Sequence, residues 1–225
     1  HPEADCLVEE TPNGPVAFYF PPALDGSRHG TFFINTDDHT QIGKFEIEAL
    51  AYHYGFPGHH LQLDIAQELD VLPEFRKHAR ITAFAEGWGL YTERLADEMG
   101  LYTGDLERIG MLSMDSMRAG RLVVDTGIHA MGWSRQQAIE FLARNSPMSL
   151  GNIADEVDRY IGIPGQALAY MIGRLEIQRI RADAEERMGD NFDIKGFHDA
   201  VLTHGLLPLE TLAGVVEQWA AGAAS

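Results

Sequence analysis

The sequence has one cysteine, few basic residues and no long apolar run. Cys6 is the only cysteine among 225 residues, which excludes an internal disulfide and a zinc site built from several cysteines. No run of about eighteen apolar residues occurs, so no membrane-spanning helix is predicted. The 17 lysines and arginines against 34 aspartates and glutamates give a formal charge of −17. This balance argues against nucleic acid or anionic lipid as a partner, since both attract basic surfaces.

What remains is an ordinary globular composition, with 45% hydrophobic residues and ten histidines. The length suits one large domain, and no linker or repeat divides residues 1–225. The chain starts at His1 without a signal-peptide pattern, so we expect it to be the C-terminal part of a longer protein. The compartment, cytoplasmic or periplasmic, is not defined by this start.

The pattern of apolar residues predicts a mostly helical chain with a small β hairpin or sheet near its start. Residues 1–40 are rich in turn formers, and two aromatic, β-branched segments at 16–20 and 31–35 predict short strands. From residue 41 the apolar spacing is helical, and Ser134 with Gln137 forms a capping box. Helices are predicted at 42–52, 61–72, 81–99, 105–129, from Ser134 onward, and at 152–160, 166–188, 194–203 and 209–220.

Three histidines surround a Pro-Gly pair between the first two predicted helices. His53 and His59 would lie about 240° apart around a continuous helix, and His53 and His60 about 10 Å apart along it. A zinc–nitrogen bond is about 2 Å long, so neither pair could share an ion on a straight helix. Pro57 and Gly58 break the helix, which predicts one helix ending near His53 and another beginning near His59. A chain that turns there can direct two imidazoles at one point, although histidines lining a simple helix break are an equal alternative.

A glutamate on the helix predicted at 81–99 offers a third ligand. Glu86 lies among small and apolar neighbours, where a carboxylate is costly to bury unless it is paired or bound to a metal. Two histidines and one glutamate form a known catalytic zinc arrangement. Glu93, seven residues later, lies on the same helix face and is a candidate to hydrogen bond to a metal ligand without touching the metal itself. For both Glu86 and Glu93 the alternative is an ordinary surface carboxylate.

These residues stand in a pattern that resembles the bacterial DUF885 family, whose fold lies beside the zincin metallopeptidases. The family motif, HE-x-x-PGHH-x-Q, is similar to residues 53–62, and further similar blocks cover 24–28, 86–93, 121–129, 158–170, 197–199 and 207–209. The resemblance implies a zincin-like helical domain, a bound zinc and hydrolysis of peptide or other amide bonds. It implies His53, His59 and Glu86 as zinc ligands, with His60 packing or hydrogen bonding nearby.

Tyr54 departs from this pattern. The family has glutamate there, which in zincins takes a proton from the metal-bound water. A phenol titrates near pH ~10 and is a poor base at neutral pH. Three explanations are open: a natural loss that leaves a metal-binding pseudoenzyme, an introduced substitution in an active enzyme, or another carboxylate acting through a shifted water.

Several other residues are candidates for catalysis or substrate binding, each with a structural alternative. Arg121, Asp125 and His129 follow one helix face, where His129 held by Asp125 would stabilise an oxyanion or the three would form an ion-pair ladder. Further candidates are Arg159 and Tyr160 as oxyanion donors, Gln166 and Tyr170 facing the cleft, and Arg28 binding a substrate carboxylate.

The leading hypothesis is therefore a zinc-dependent hydrolase of a peptide or other amide substrate, with His129, Tyr160 or Arg159 stabilising the oxyanion. The alternatives are a non-catalytic metal- or peptide-binding module and a purely structural helical domain. Acidic charge near the site would favour cationic substrates.

Overall fold

The computed structural model describes residues 5–37 and 42–223. The chain is 67% helical, with a small sheet near its start, which confirms the predicted fold class. Within the described residues, three strands precede ten α-helices. The strands are β1 (Cys6–Thr11), β2 (Ala17–Phe20) and β3 (Gly30–Asn35). The helices are α1 (Ile47–Tyr54), α2 (His59–Glu68), α3 (Glu74–His78), α4 (Thr82–Glu98), α5 (Asp105–Met131), α6 (Arg135–Asn145), α7 (Leu150–Gly162), α8 (Ala169–Met188), α9 (Ile194–Leu202) and α10 (Leu209–Ala223).

The sheet has the order β1-β3-β2. β2 and β3 are antiparallel, with Ala17 opposite Ile34, and they confirm the two predicted strands. β1 runs parallel to β3 and was not predicted from the sequence. Its four central residues are exposed, so it carries no alternation of apolar and polar residues to reveal it.

The Pro-Gly pair breaks the chain where the sequence predicts. α1 ends at Tyr54 and α2 begins at His59, so one histidine lies in the last turn of α1 and another opens α2. Gly58 precedes α2, and a side chain there would overlap the backbone carbonyl of His53. The close return of the chain onto α1 therefore requires glycine. The predicted helix at 61–72 is shorter than expected, since α2 ends at Glu68 and Pro73 starts a separate α3.

α4 and α8 cross at a pair of glycines. A Cβ on Gly87 would stand 2.5 Å from the Cα of Gly173, and one on Gly173 would overlap the carbonyl oxygen of Ala83. The two backbones approach closely here, and α4 becomes a central helix with Trp88 and Tyr91 buried. None of the described helices is long and apolar enough to cross a membrane.

Gly173→Ala is expected to destabilise the protein, because a methyl group cannot enter the α4–α8 crossing without moving backbone. Overpacking of this kind costs about 1–3 kcal/mol of the free energy of unfolding. Gly214→Ala, in α10 with open space around its Cβ position, is the control and should leave stability unchanged or raised. Chemical denaturation measures both variants, and equal stability of the two would contradict the close crossing.

Candidate metal centre

Three side chains from three helices meet at one point. His53 lies in the last turn of α1, His59 begins α2 and Glu86 lies in α4, and each offers a ligand atom within 4.8 Å of the other two. Oε2 of Glu86 lies 3.3 Å from Nε2 of His59 and 3.6 Å from Nε2 of His53. The structure thus brings together the three residues that the sequence predicts as ligands.

His53 is oriented from behind by Glu93, one of the residues predicted to support a ligand. Nδ1 of His53 lies 2.8 Å from Oε1 of Glu93, and both side chains are buried. A carboxylate only accepts, so Nδ1 carries a proton, and in the neutral imidazole Nε2 keeps its lone pair on the side of Glu86. Arg118 lies 3.4 Å from the same oxygen of Glu93 and balances its charge.

Burial and neighbouring charges act differently on the three groups. Burial lowers the pKa of His53, but the carboxylates of Glu86 and Glu93 outweigh it and raise that pKa overall. For His59 burial prevails and its pKa is lowered, which favours the neutral imidazole. Burial raises the pKa of Glu86, but the two histidines hold it far below its usual range. Glu86 is therefore an anion beside two imidazoles.

This donor set fits a tetrahedral metal ion. Two ligand atoms about 2 Å from such an ion lie about 3.3 Å apart, close to the two separations from Glu86. The buried Nε2 of His53 points into the site and has no hydrogen-bond partner among the described residues. A bound metal ion would give this nitrogen the partner that a buried polar atom normally has. Two imidazoles favour zinc or a similar transition metal over calcium or magnesium.

α4 also holds the turn between the two histidines. Nε1 of Trp88 donates to the carbonyl of Pro57 at 2.9 Å, and Oγ1 of Thr92 donates to the carbonyl of Tyr52 at 3.0 Å. Gly89 leaves room for the imidazole, because a Cβ there would stand 2.8–3.0 Å from ring atoms of His53. One helix therefore supplies a ligand, positions a second and fixes the turn.

A cavity of about 560 Å³ opens beside the three donors, a volume typical of small-molecule sites. The predicted site residues that line it are His59, Glu86, Tyr54, Arg121, Arg159 and Tyr170. β2 and the segment after it form an apolar wall.

A cluster of polar side chains lies on the same cavity wall. Arg121 and Arg159 both bind the carboxylate of Glu156, with shortest distances of 2.7 and 3.0 Å. The Tyr160 hydroxyl donates to Glu156 at 2.5 Å and accepts from Arg121 at 3.1 Å. Sequence reasoning missed Glu156, although its spacing of three and four residues from Arg159 and Tyr160 on one helix was a usable signal.

The two residues predicted to face the cleft are joined to this cluster. Oε1 of Gln166 accepts from Arg159 at 2.6 Å, and Nε2 of Gln166 lies 3.5 Å from the Tyr170 hydroxyl. The Tyr170 ring stacks on His53, with centroids 6.3 Å apart. Tyr170 therefore links the arginine cluster to the three donors.

Four other predicted site residues lie elsewhere. His60 is buried and bonds the Tyr19 hydroxyl at 2.7 Å through Nδ1. His129 is exposed and bonds the Tyr160 carbonyl at 3.0 Å, while Asp125 accepts from the Gly165 amide at 3.1 Å. Arg28 is exposed, with its guanidinium over the ring of Phe20. None of these four is among the described residues that line the cavity.

The sequence pattern of DUF885, described as bacterial proteins of unknown function, matches residues 3–216. The chain belongs to the DUF885 family. A crystal structure from Colwellia psychrerythraea, 38% identical, superposes with a TM-score of 0.96 over 98% of this chain and 39% of that one. A second structure, from Shewanella oneidensis and 23% identical, has a TM-score of 0.82 over 96% of this chain and 41% of that one, and shows the fold alone.

Both of these proteins are named "putative lipoprotein", and the second is said to be of unknown function. This DUF885 chain spans about two-fifths of the length of each. No curated protein matches it.

Tyr54 stands where the resemblance leads us to expect glutamate, and its hydroxyl is directed at the sheet. It donates to the carbonyl of Ala17 in β2 at 3.0 Å, and its ring stacks on Phe32 of β3 with centroids 5.1 Å apart. Burial raises the pKa of this phenol further above its usual value. Tyr54 is therefore a packed side chain that donates a hydrogen bond to the sheet, next to the three candidate metal ligands, and it is not a base.

Glu93→Gln is expected to weaken zinc binding to this DUF885 chain by about 10–100-fold, because glutamine accepts from His53 without supplying negative charge. Glu98→Gln is the control, since Glu98 lies on the same helix but pairs with Arg181 at a half-exposed position. Competition with a chromophoric chelator measures both affinities. Equal zinc affinity in the two variants would contradict the role of Glu93.

Proposed function

We propose that this chain is a zincin-like, zinc-dependent hydrolase domain acting on peptide or other amide bonds, with His53, His59 and Glu86 as the zinc ligands. The observation that carries the proposal is the convergence of these three donors beside a cavity that His59 and Glu86 line, with each histidine Nε2 3.3–3.6 Å from the Glu86 carboxylate. That residues 1–225 act as one domain of a longer protein stays a prediction.

A zinc ion held there would polarise a substrate carbonyl and make water a stronger acid. The other roles in the proposed reaction belong to the chain's own residues. Glu86 stays ionised, and Glu93 keeps the proton of His53 on Nδ1, away from the ion. Arg159 is the one predicted oxyanion donor whose side chain lines the cavity, since the described geometry gives the Tyr160 hydroxyl to Glu156 and leaves His129 exposed.

The missing part is the general base. The described residues that line the cavity include two carboxylates, Glu86 and Glu156. Glu86 is taken as a ligand. Burial raises the pKa of Glu156, but Arg121 and Arg159 outweigh it and hold that pKa far below its usual range, so it is a poor proton acceptor. This argues against a replacement carboxylate and for a reaction slowed by Tyr54.

The contacts of Tyr54 favour a second candidate function, a non-catalytic module that keeps the metal or binds peptides. The hydroxyl bonded to Ala17 and the ring stacked on Phe32 make position 54 part of the packing between α1 and the sheet. A residue integrated in this way is what a natural loss of the base would leave.

Measuring metal content tests the zinc site, which both candidate functions share. The purified chain is expected to bind about one equivalent of zinc, and His59→Ala to lose it, as measured by elemental analysis after dialysis. Failure of the chain to take up added zinc would contradict both.

Tyr54→Glu separates the two candidates. If only the base is missing, hydrolysis of a peptide library should rise by about 10²–10⁴-fold. Tyr54→Gln is the matched control, because it loses the same ring contacts without gaining a base, and circular dichroism checks that both fold. No gain of Tyr54→Glu over Tyr54→Gln in zinc-loaded, folded protein would favour the non-catalytic module.

A further inference from the structure

The arginine cluster on the cavity wall carries one positive charge too many. Arg121 and Arg159 share the single carboxylate of Glu156, and Arg121 is only 5% exposed. Since Arg121 keeps Glu156 as its partner, the surplus charge is that of Arg159, whose side chain is 25% exposed and lines the cavity, and an unpaired charge held partly out of water is costly. The cluster is therefore arranged to receive an anion.

One donor in the cluster is unused. Arg159 gives Nε and Nη2 to Glu156 and Nη1 to Gln166. Arg121 gives Nε and Nη2 to Glu156, while its buried Nη1 has no hydrogen-bond partner among the described residues. The guanidinium lies 4.3 Å from the centroid of the Tyr170 ring, which keeps it fixed on the side of the metal donors.

The charged residues that line the rest of the cavity are also mostly basic. The two carboxylates on its described wall are Glu86, flanked by histidines, and Glu156. Against them stand five basic residues: Lys77, Arg80, Arg118, Arg121 and Arg159. A chain of formal charge −17 thus places more basic than acidic residues along its cavity, although Arg118 is paired with Glu93. The described lining residues therefore do not supply the acidic charge on which a preference for cationic substrates would depend.

We propose that the cavity recognises a carboxylate on its ligand, held by Arg121 and Arg159 while the rest of the ligand extends toward His59 and Glu86. Guanidinium groups match carboxylates in shape and charge, and the fixed pair needs little reordering to accept one. The ligand class is a short peptide with a free carboxylate. Naming that peptide as a substrate rests on the proposed function; the binding of the carboxylate does not.

The test compares three probes that differ in where they carry charge: N-acetyl-alanyl-alanine, its C-terminal amide, and N-acetyl-glutamyl-alanine amide. Calorimetry on the full chain gives each affinity, once in chelator and once with added zinc. At least one of the two acids is expected to bind about tenfold more tightly than the neutral amide, with or without zinc. The acid that binds better tells whether the carboxylate comes from the chain end or from a side chain.

Arg159→Gln is the variant that tests the arginine pair. It removes the surplus charge but leaves Arg121 to pair with Glu156, so the buried carboxylate keeps a partner. The preference for the acid should fall to within about twofold. Arg135→Gln is the matched control: Arg135 also binds a carboxylate of α7, that of Asp158, but is half-exposed and is not among the described lining residues. It should keep the full preference, and thermal melting checks that both variants fold.

Three outcomes overturn the inference. Equal affinity for acids and amide, no binding of either acid at millimolar concentration, or an acid preference that survives in folded Arg159→Gln would do so. A preference seen only with zinc and unchanged in Arg159→Gln would mean that the carboxylate binds the metal, which supports the proposed metal site and rejects the arginine pair. A chain that takes up no zinc but keeps the preference would reject the metal site alone.

Discussion

The buried hydrogen bond between His53 and Glu93 joins α1 to α4, and the geometry of the candidate site depends on it. Glu93 fixes which nitrogen of His53 carries the proton, so the other nitrogen is available to a ligand. The same helix contributes Glu86 and ties down the turn before His59 through Trp88. Since α4 is itself set by its close crossing with α8, the spacing of all three donors follows from how one helix is packed.

Electrostatics divide the molecule into an acidic whole and a basic cavity. The two buried arginines near the candidate metal ligands each form an ion pair with a carboxylate. Arg118 pairs with Glu93, and Arg121 pairs with Glu156. These pairs give each of the two carboxylates a cationic partner within the protein. A ligand entering the cavity meets cations on one side and the metal donors on the other, which favours an anionic group on the first side.

Much of the fold could be read from the sequence because its signals are local. Apolar spacing located the long helices, Ser134 and Gln137 gave a capping box that the structure shows, and Pro57 marked the break between α1 and α2. The exposed strand β1 carried no such signal. Contacts between Arg121 of α5 and Glu156 of α7 join residues 35 apart, and no pattern within either helix shows that the two meet. The sign of the charge at the cavity depends on such long-range contacts, so composition alone could not give it.

Tyr54 shows how one substitution acts on both packing and chemistry. A glutamate there would place a charge beside Phe32 and leave the carbonyl of Ala17 without its present donor. Tyrosine satisfies that carbonyl and covers the sheet, but it offers no group that accepts a proton at neutral pH. The tyrosine that joins α1 to β2 is thus also the residue that, under the proposed function, would leave the site without a base. The contacts that tie the candidate metal donors to α4, from Glu93 to His53 and from Trp88 to the turn before His59, do not involve Tyr54.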